Sequence, residues 1–306
     1  MISIEEIAVL EEYNMKTRII SGIVMAAILA AVLTVGMNFE PVVITAFVAI
    51  LAAAGTYELA YNAAGIKSKA AVAGACTFSF LYVFASDSNF QEKIYSLIPK
   101  NIENVVKVSQ NFTKYWSLGV SALIIGYFLY AVVMVLKNHK DFGLSHIALL
   151  CGLPLPLCFA FSCLGSVINH QNGLYYLLML LNFSSVCDMG AYFVGVTCGK
   201  HKLCPNISPK KTIEGAVGGI ASSLIFAVVF MLIFNQTDKL VPTLIVTIPL
   251  CAVGMIGDLF ASAIKRSVGL KDYSNLIPGH GGILDRVDSI LLIAPVMALF
   301  VSFGVL

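Results

Sequence analysis

The sequence predicts an all-α, polytopic membrane protein with about nine transmembrane helices, and three observations predict it. Of the 306 residues, 58% are hydrophobic and only 12% are charged, whereas a soluble domain carries about 25% charged and about 45–50% apolar residues. With a mean hydropathy of +0.89, the chain has too little charge to coat a water-facing surface. A soluble enzyme, a disordered chain and a coiled coil are excluded. Second, apolar runs near twenty residues, the length that crosses about 30 Å of hydrocarbon, recur along the whole chain. Third, the eight cysteines form no C-x-x-C pair and mostly sit inside apolar runs, where Cys acts as a small hydrophobe. No zinc site or disulfide framework is expected. The net charge of +2 gives no sign of a nucleic-acid partner.

The first sixteen residues set Glu5, Glu6, Glu11 and Glu12 among Ile2, Ile4, Ile7 and Leu10. They read as a short amphipathic surface helix or a frayed terminus, and they lack the basic start of a signal peptide. Candidate spans follow at 18–36, 41–63, 70–86, 115–136, 146–166, 174–193, 215–234, 241–264 and 283–305. The third is short. Before the fourth lies a polar loop, 87–114, with Lys93, Lys100, Lys107 and Lys114 at every seventh residue, a spacing that suits one stripe of a surface helix. The organisation is an N-terminal region, 1–173, of about five helices plus that loop, and a C-terminal region, 174–306, of about four helices with two polar segments.

With nine spans and the start of the chain in the cytoplasm, 14 of the 19 Lys and Arg fall on the cytoplasmic face. The positive-inside rule favours that orientation. It places both polar segments of the second half on the cytoplasmic side.

The first of these runs from Asp188 to Gly215. Its glycines allow close backbone approach, and Lys200, Lys202, Lys210 and Lys211 supply point charges for phosphates. Ser208-Pro209 reads as a helix opening, Ser as N-cap and Pro at the first helical position, which makes an anion site flanked by Lys210 and Lys211. An ordinary basic loop is the alternative. The second segment, Gly257 to Asp288, is harder to dismiss. Asp258 lies within an apolar span, where an unpartnered carboxylate costs roughly 2.5–3.5 kcal/mol. Asp285 and Asp288 share one face at the start of the last helix. Converging carboxylates can hold Mg²⁺ together with substrate phosphate oxygens, and Lys265, Arg266, Lys271 and Arg286 crowd the same stretch. Acids for a metal, bases for a leaving pyrophosphate and a Gly281-Gly282 turn for room are what phosphoryl or nucleotidyl transfer needs.

The string Ser262-x-Ile-Lys265-Arg266-x4-Lys271-Asp272-x-Ser274-x2-Ile277-Pro278-x-His280-Gly281-Gly282-x2-Asp285-Arg286-x-Asp288 resembles the signature of phosphatidate cytidylyltransferases, the CDP-diacylglycerol synthases of the bacterial type. Asp188-x-Gly-Ala-Tyr192-Phe and Ser208-Pro209-Lys210-Lys211-Thr212-x-Glu214-Gly215 resemble the family's second block. In one place the chain departs from the pattern: the family's usual Arg after Gly195 is Val196, and Cys198 stands at its Phe position.

The resemblance implies that phosphatidate and CTP give CDP-diacylglycerol and pyrophosphate, in phospholipid biosynthesis, with Mg²⁺ and with or without a second cation. It implies a multi-pass enzyme of the inner (plasma) membrane, a homodimer, with its site facing the cytoplasm. By analogy Asp258 and Asp285 lead as metal ligands, with Asp288 third. Lys265, Arg266 and Arg286 would contact phosphates, with Lys210, Lys211, Lys271 and Ser208 as further contacts and Gly281 and Gly282 giving room. Ser262 either adds an oxygen ligand or caps a carbonyl. Asp188, inside the sixth run, is a fourth acid of the site or the partner of a buried lysine, the site being favoured. Glu214 orients the loop or caps its own helix. His280 is a nucleotide contact or turn-former. Asp272 pairs with Lys271 or Arg266. Glu58, alone in the second span with Tyr57 and Tyr61, reads as a satisfied interior group outside the site. The alternatives are another CTP-dependent lipid enzyme, either a lipid-alcohol kinase or a CDP-archaeol-type synthase, and a secondary transporter, which the lack of a clear repeat between the halves disfavours.

Overall fold

The computed structural model describes residues 4–96, 105–138 and 142–306. Among the described residues twelve α-helices run in order: α1 Ile4–Asn38, α2 Val42–Tyr57, α3 Lys69–Ser86, α4 Ser88–Ser96, α5 Val105–Lys137, α6 Leu144–Gly152, α7 Pro154–Ile168, α8 Gly173–Leu181, α9 Cys187–Cys198, α10 Ile213–Ile233, α11 Leu240–Ser267 and α12 Leu284–Ser302. Among the described residues, eight helical stretches are long and apolar enough to cross a membrane, from Met15–Asn38 to Thr237–Ser267. They coincide with the first eight expected spans. The ninth, expected at 283–305, is α12, whose first five residues carry Asp285, Arg286 and Asp288. The short third run fills out to 18 residues as Lys69–Ser86. Helix α1 enters the first span without a break, and the side chains of the first fourteen residues lie outside the described set, as does Lys100. Lys93 pairs with Glu40 at 2.6 Å.

The chain divides into two compact units, one of residues 1–158 with 272–286, the other of 159–271 with 287–306. In the first, α2 packs on α3 and α3 on α5. Small residues allow it: Ala49, Ala52, Ala71 and Ala75 are fully buried. Phe78 stacks on Tyr127 at 4.1 Å between centroids, and the Tyr127 hydroxyl donates to Leu150 O at 2.5 Å. Helix α2 runs into a π-helical turn, Glu58–Ala63, ended by Gly65 at φ +67°. That backbone region is open mainly to glycine.

In the second unit α8 and α9 form one rod through a π turn, Asn182–Val186. A π turn loosens the local hydrogen-bond ladder and often marks functional positions. Here the loosened groups pair with α10, Asn182 Nδ2 donating to Ser223 O at 3.2 Å and Ser223 Oγ to Asn182 O at 3.3 Å. Helices α9 and α10 lie close because glycine stands at each crossing, Gly190 beneath Ser222 and Gly218 beneath Val194. Small residues are the usual device for close helix approach in lipid, where helices gain nothing from burying apolar surface against each other. Side chains left on the outside, such as Ile19, Ile23, Ile125, Leu129, Ile225, Val229 and Ile245, are apolar and exposed, as hydrocarbon contact requires.

One local expectation is corrected. Ser208-Pro209 does not open a helix: Ser208–Thr212 is strand β2, antiparallel to β1, Lys202–Cys204. Helix α10 starts at Ile213, and its N-cap is Thr212, whose Oγ1 accepts from Gly215 N at 3.1 Å. Pro at the head of a two-stranded ribbon needs no ladder hydrogen bond, and Thr212 is the residue whose hydroxyl reaches the orphan N–H of the first turn.

Candidate active site

In the second unit three polar side chains meet between apolar helices. Asp188 comes from the first turn of α9, Lys211 from the end of β2, and Asp258 from the middle of α11. Lys211 Nζ lies 2.5 Å from Asp258 Oδ2, and Asp188 interacts electrostatically with both. Nζ of Lys211 is buried and, beyond that ion pair, has no hydrogen-bond partner among the described residues. An ammonium carries three donors, so this one keeps capacity for an anion. Pairing offsets the penalty of a carboxylate within an apolar span. Ser262, one turn after Asp258, donates to Asp258 Oδ1 at a long 3.4 Å. Its hydroxyl therefore faces that acid.

Helix α11 continues past Asp258 to Ser267. Lys265 is buried at its last turn, Leu270 N donates to Lys265 O at 2.8 Å, and Arg266 Nη1 donates to Leu270 O at 3.0 Å. Gly269 at φ +74° makes the turn. Where α11 passes the start of α12, a Cβ on Gly257 would come within 3.0 Å of Asp288 O. The glycine is what lets those helices touch at Asp288.

The β1–β2 ribbon is tied to α10 by Glu214. Its carboxylate accepts from Lys200 N at 3.1 Å and His201 N at 3.1 Å, and lies 2.6 Å from His201 Nδ1. Of the two roles expected for Glu214, the structure shows the loop-orienting one. Lys210 and Lys271 are exposed, and Ser208 is half-buried in β2.

The second group belongs to the first unit and is the turn 272–283. Gly279 and Gly281 hold φ +76° and +84°, which gives a tight loop closed by Ile277 N to Gly281 O at 2.9 Å and by His280 N to Ile277 O at 2.9 Å. Asp285 Oδ2 accepts from Tyr273 N at 2.8 Å and Gly282 N at 2.9 Å, so this buried acid draws the two ends of the turn together. His280 Nδ1 lies 2.8 Å from Ser21 Oγ, and that hydroxyl also reaches Pro278 O at 2.9 Å. His280 is thus a turn-former anchored to α1. Asp272 corrects an expectation: among the described residues it forms no ion pair with Lys271 or Arg266, and its side chain lies against Gly281. Arg286 is exposed.

Sequence reasoning left out two contributors to this turn. Glu58 is 1% exposed and accepts from Ser274 Oγ at 2.6 Å, Ile283 N at 2.9 Å and Leu284 N at 2.9 Å. The signal for it was present, since a lone carboxylate in an apolar span demands partners. Ser21 carried no signal, because a serine in a first span is unremarkable by sequence.

For a metal, the donor set around Lys211 is suitable. Asp188 and Asp258 are hard oxygen donors that already attract one cation, the ammonium, and Mg²⁺ is commonly held by one or two carboxylates plus substrate phosphate oxygens. Among the described residues no three His, Cys, Asp or Glu side chains gather into a cage of their own. Such a site would take the rest of its ligands from substrate.

Fold and side chains together define an all-α integral membrane protein with a charged Asp188–Lys211–Asp258 group set among apolar helices. The chain belongs to the cytidylyltransferase family, whose sequence pattern matches residues 16–303. It is 39% identical over 184 residues to the phosphatidate cytidylyltransferase of Bacillus subtilis (strain 168), a stretch covering 58% of this chain and 67% of that protein. The protein of the same name from Staphylococcus saprophyticus is 45% identical over 129 residues, 42% of this chain and 50% of its own length. That of Haemophilus influenzae is 39% identical over 139 residues, 44% and 48% respectively. The matched stretch thus spans about half the length of the latter two relatives.

Proposed function

We propose that this protein is a phosphatidate cytidylyltransferase, joining phosphatidate to CTP to give CDP-diacylglycerol and pyrophosphate. A phosphate oxygen of the lipid attacks the α-phosphorus of CTP, the bond from that phosphorus to the bridging oxygen breaks, and pyrophosphate leaves. The lipid phosphate is already a competent nucleophile, so no Ser-His-Asp device is needed. The barrier to lower is repulsion between two anions, which preorganised cations lower most directly. The observation that carries the reading is the buried Lys211 ammonium, held against Asp258 and in the field of Asp188.

In this reading Lys211 turns its remaining donors to a substrate phosphate, and Lys210, Lys265, Arg266, Lys271 and Arg286 supply further positive charge. Asp258 and Asp188 would hold Mg²⁺ with Asp288 as a further carboxylate, and the ion when bound would neutralise phosphate charge. Helices α9 and α11 are largely apolar, and their side chains keep bulk water from these acids, which strengthens each interaction in the site. The site opens to the cytoplasm, where CTP is supplied, while phosphatidate arrives within the leaflet. The test is an assay of the purified protein with labelled CTP, phosphatidate and Mg²⁺. Pyrophosphate release that depends on the lipid is expected, and release without lipid, or none at all, rejects the reading.

A further inference from the structure

We propose that Glu58 is a positioning residue for nucleotidyl transfer, holding the glycine turn and the first turn of α12 in their working shape. The inference rests on the function proposed above. Glu58 sits in the π turn after α2, 1% exposed, and forms no ion pair among the described residues. Its charge is met instead by three donors, Ser274 Oγ, Ile283 N and Leu284 N, at 2.6, 2.9 and 2.9 Å. All three belong to one segment, more than 200 residues further along the chain.

Two of those donors are backbone N–H groups at the start of α12. Such groups have no partner within their own helix, and the helix dipole makes that end attractive to an anion. Caps normally come from the residue just before the helix. Here that residue is Ile283, which has no side-chain oxygen, and Glu58 takes the capping role from another element. Gly282 is matched to it: a Cβ there would lie 2.6 Å from both Glu58 Oε1 and Oε2. Asp285 holds the same turn from within through Tyr273 N and Gly282 N. The two carboxylates together bind five donors between residues 273 and 284. That is far more restraint than a surface loop needs, and the residues restrained lead directly into Asp285 and Arg286. Glu58 touches no residue placed at the phosphates by its charge. It acts through Ser274, Ile283 and Leu284.

The experiment measures kcat, both KM values and the melting temperature of the full chain in lipid nanodiscs, for wild type, Glu58→Gln, Ser274→Ala and the double variant, with CTP, phosphatidate and Mg²⁺. A misplacement near 1 Å can cost on the order of 100-fold. Glu58→Gln is expected to lower kcat per folded protein by about 10- to 100-fold with both KM values close to wild type, and to lower the melting temperature as well, because an amide cannot accept from all three donors. Ser274→Ala is expected to lower kcat less, and to add nothing in the Glu58→Gln background, because residues acting through one contact are not additive. Wild-type kcat in Glu58→Gln overturns the proposal. So do additive losses in the double variant, or losses that track only the amount of folded protein. Should Glu58→Gln fail to fold, Ser274→Ala decides: lower kcat at an unchanged melting temperature supports the proposal, and unchanged kcat overturns it. A wild type with no lipid-dependent turnover rejects the function itself, and the positioning role with it.

Discussion

At the scale of single residues, Lys211 and Asp258 are the pair on which charge and burial converge. Lys211→Met removes the ammonium that the proposed reaction turns to substrate and leaves Asp258 without its partner. Turnover is expected to fall on the order of 100-fold or more, read as kcat in the pyrophosphate assay. Asp285 makes a different prediction. Its Oδ2 accepts two backbone N–H groups in a buried place, and hydrogen bonds to a charged group contribute about 1.5–3 kcal/mol each. Asp285→Asn therefore lowers the melting temperature together with turnover, and a variant with unchanged stability would show that the turn does not need the charge. Both acids were visible in the sequence because a carboxylate among apolar residues stands out. Their partners were not, because Lys211 lies 47 positions from Asp258 and nothing in spacing links them.

At the scale of elements, the approach of α9 to α10 depends on glycines beneath Ser222 and Val194. Gly218→Leu would drive a side chain into Val194 and force the helices apart, and overpacking of this kind costs about 1–3 kcal/mol. A lower melting temperature is expected, with turnover reduced as Asp188 moves with α9. The start of α10 is governed by Thr212. Thr212→Ala should destabilise by about 1 kcal/mol, whereas Ser208→Ala, in the ribbon, should leave helix stability unchanged. That contrast checks the corrected boundary by melting. The sequence suggested Ser208-Pro209 as the helix start because Ser followed by Pro has the right local chemistry. Pairing of Ser208 with Cys204 and of Thr212 with Lys202 overrode it, since a strand partner satisfies more of the backbone than a single cap does.

At the scale of the whole molecule, the predictions concern the membrane and the metal. Leu276 is 61% exposed in the glycine turn. Leu276→Cys in intact cells should resist a membrane-impermeant maleimide and label only after permeabilisation, and labelling from outside would reverse the orientation read from the lysine and arginine count. Chelation with EDTA should abolish turnover and added Mg²⁺ restore it. Turnover that persists through chelation would take the metal out of the mechanism.

The apolar runs by themselves determined the class of protein, its helical architecture and the first eight spans, because hydrocarbon admits only segments whose backbone is satisfied internally and whose side chains are apolar. The motif strings by themselves determined the family. Only the tertiary structure decided that Lys211 meets Asp258, that Thr212 rather than Ser208 begins α10, and that Glu58 caps the start of α12. Each of these joins groups far apart in sequence, and their proximity follows from helix packing and from the need of buried charges and orphan N–H groups for partners, which local sequence cannot specify.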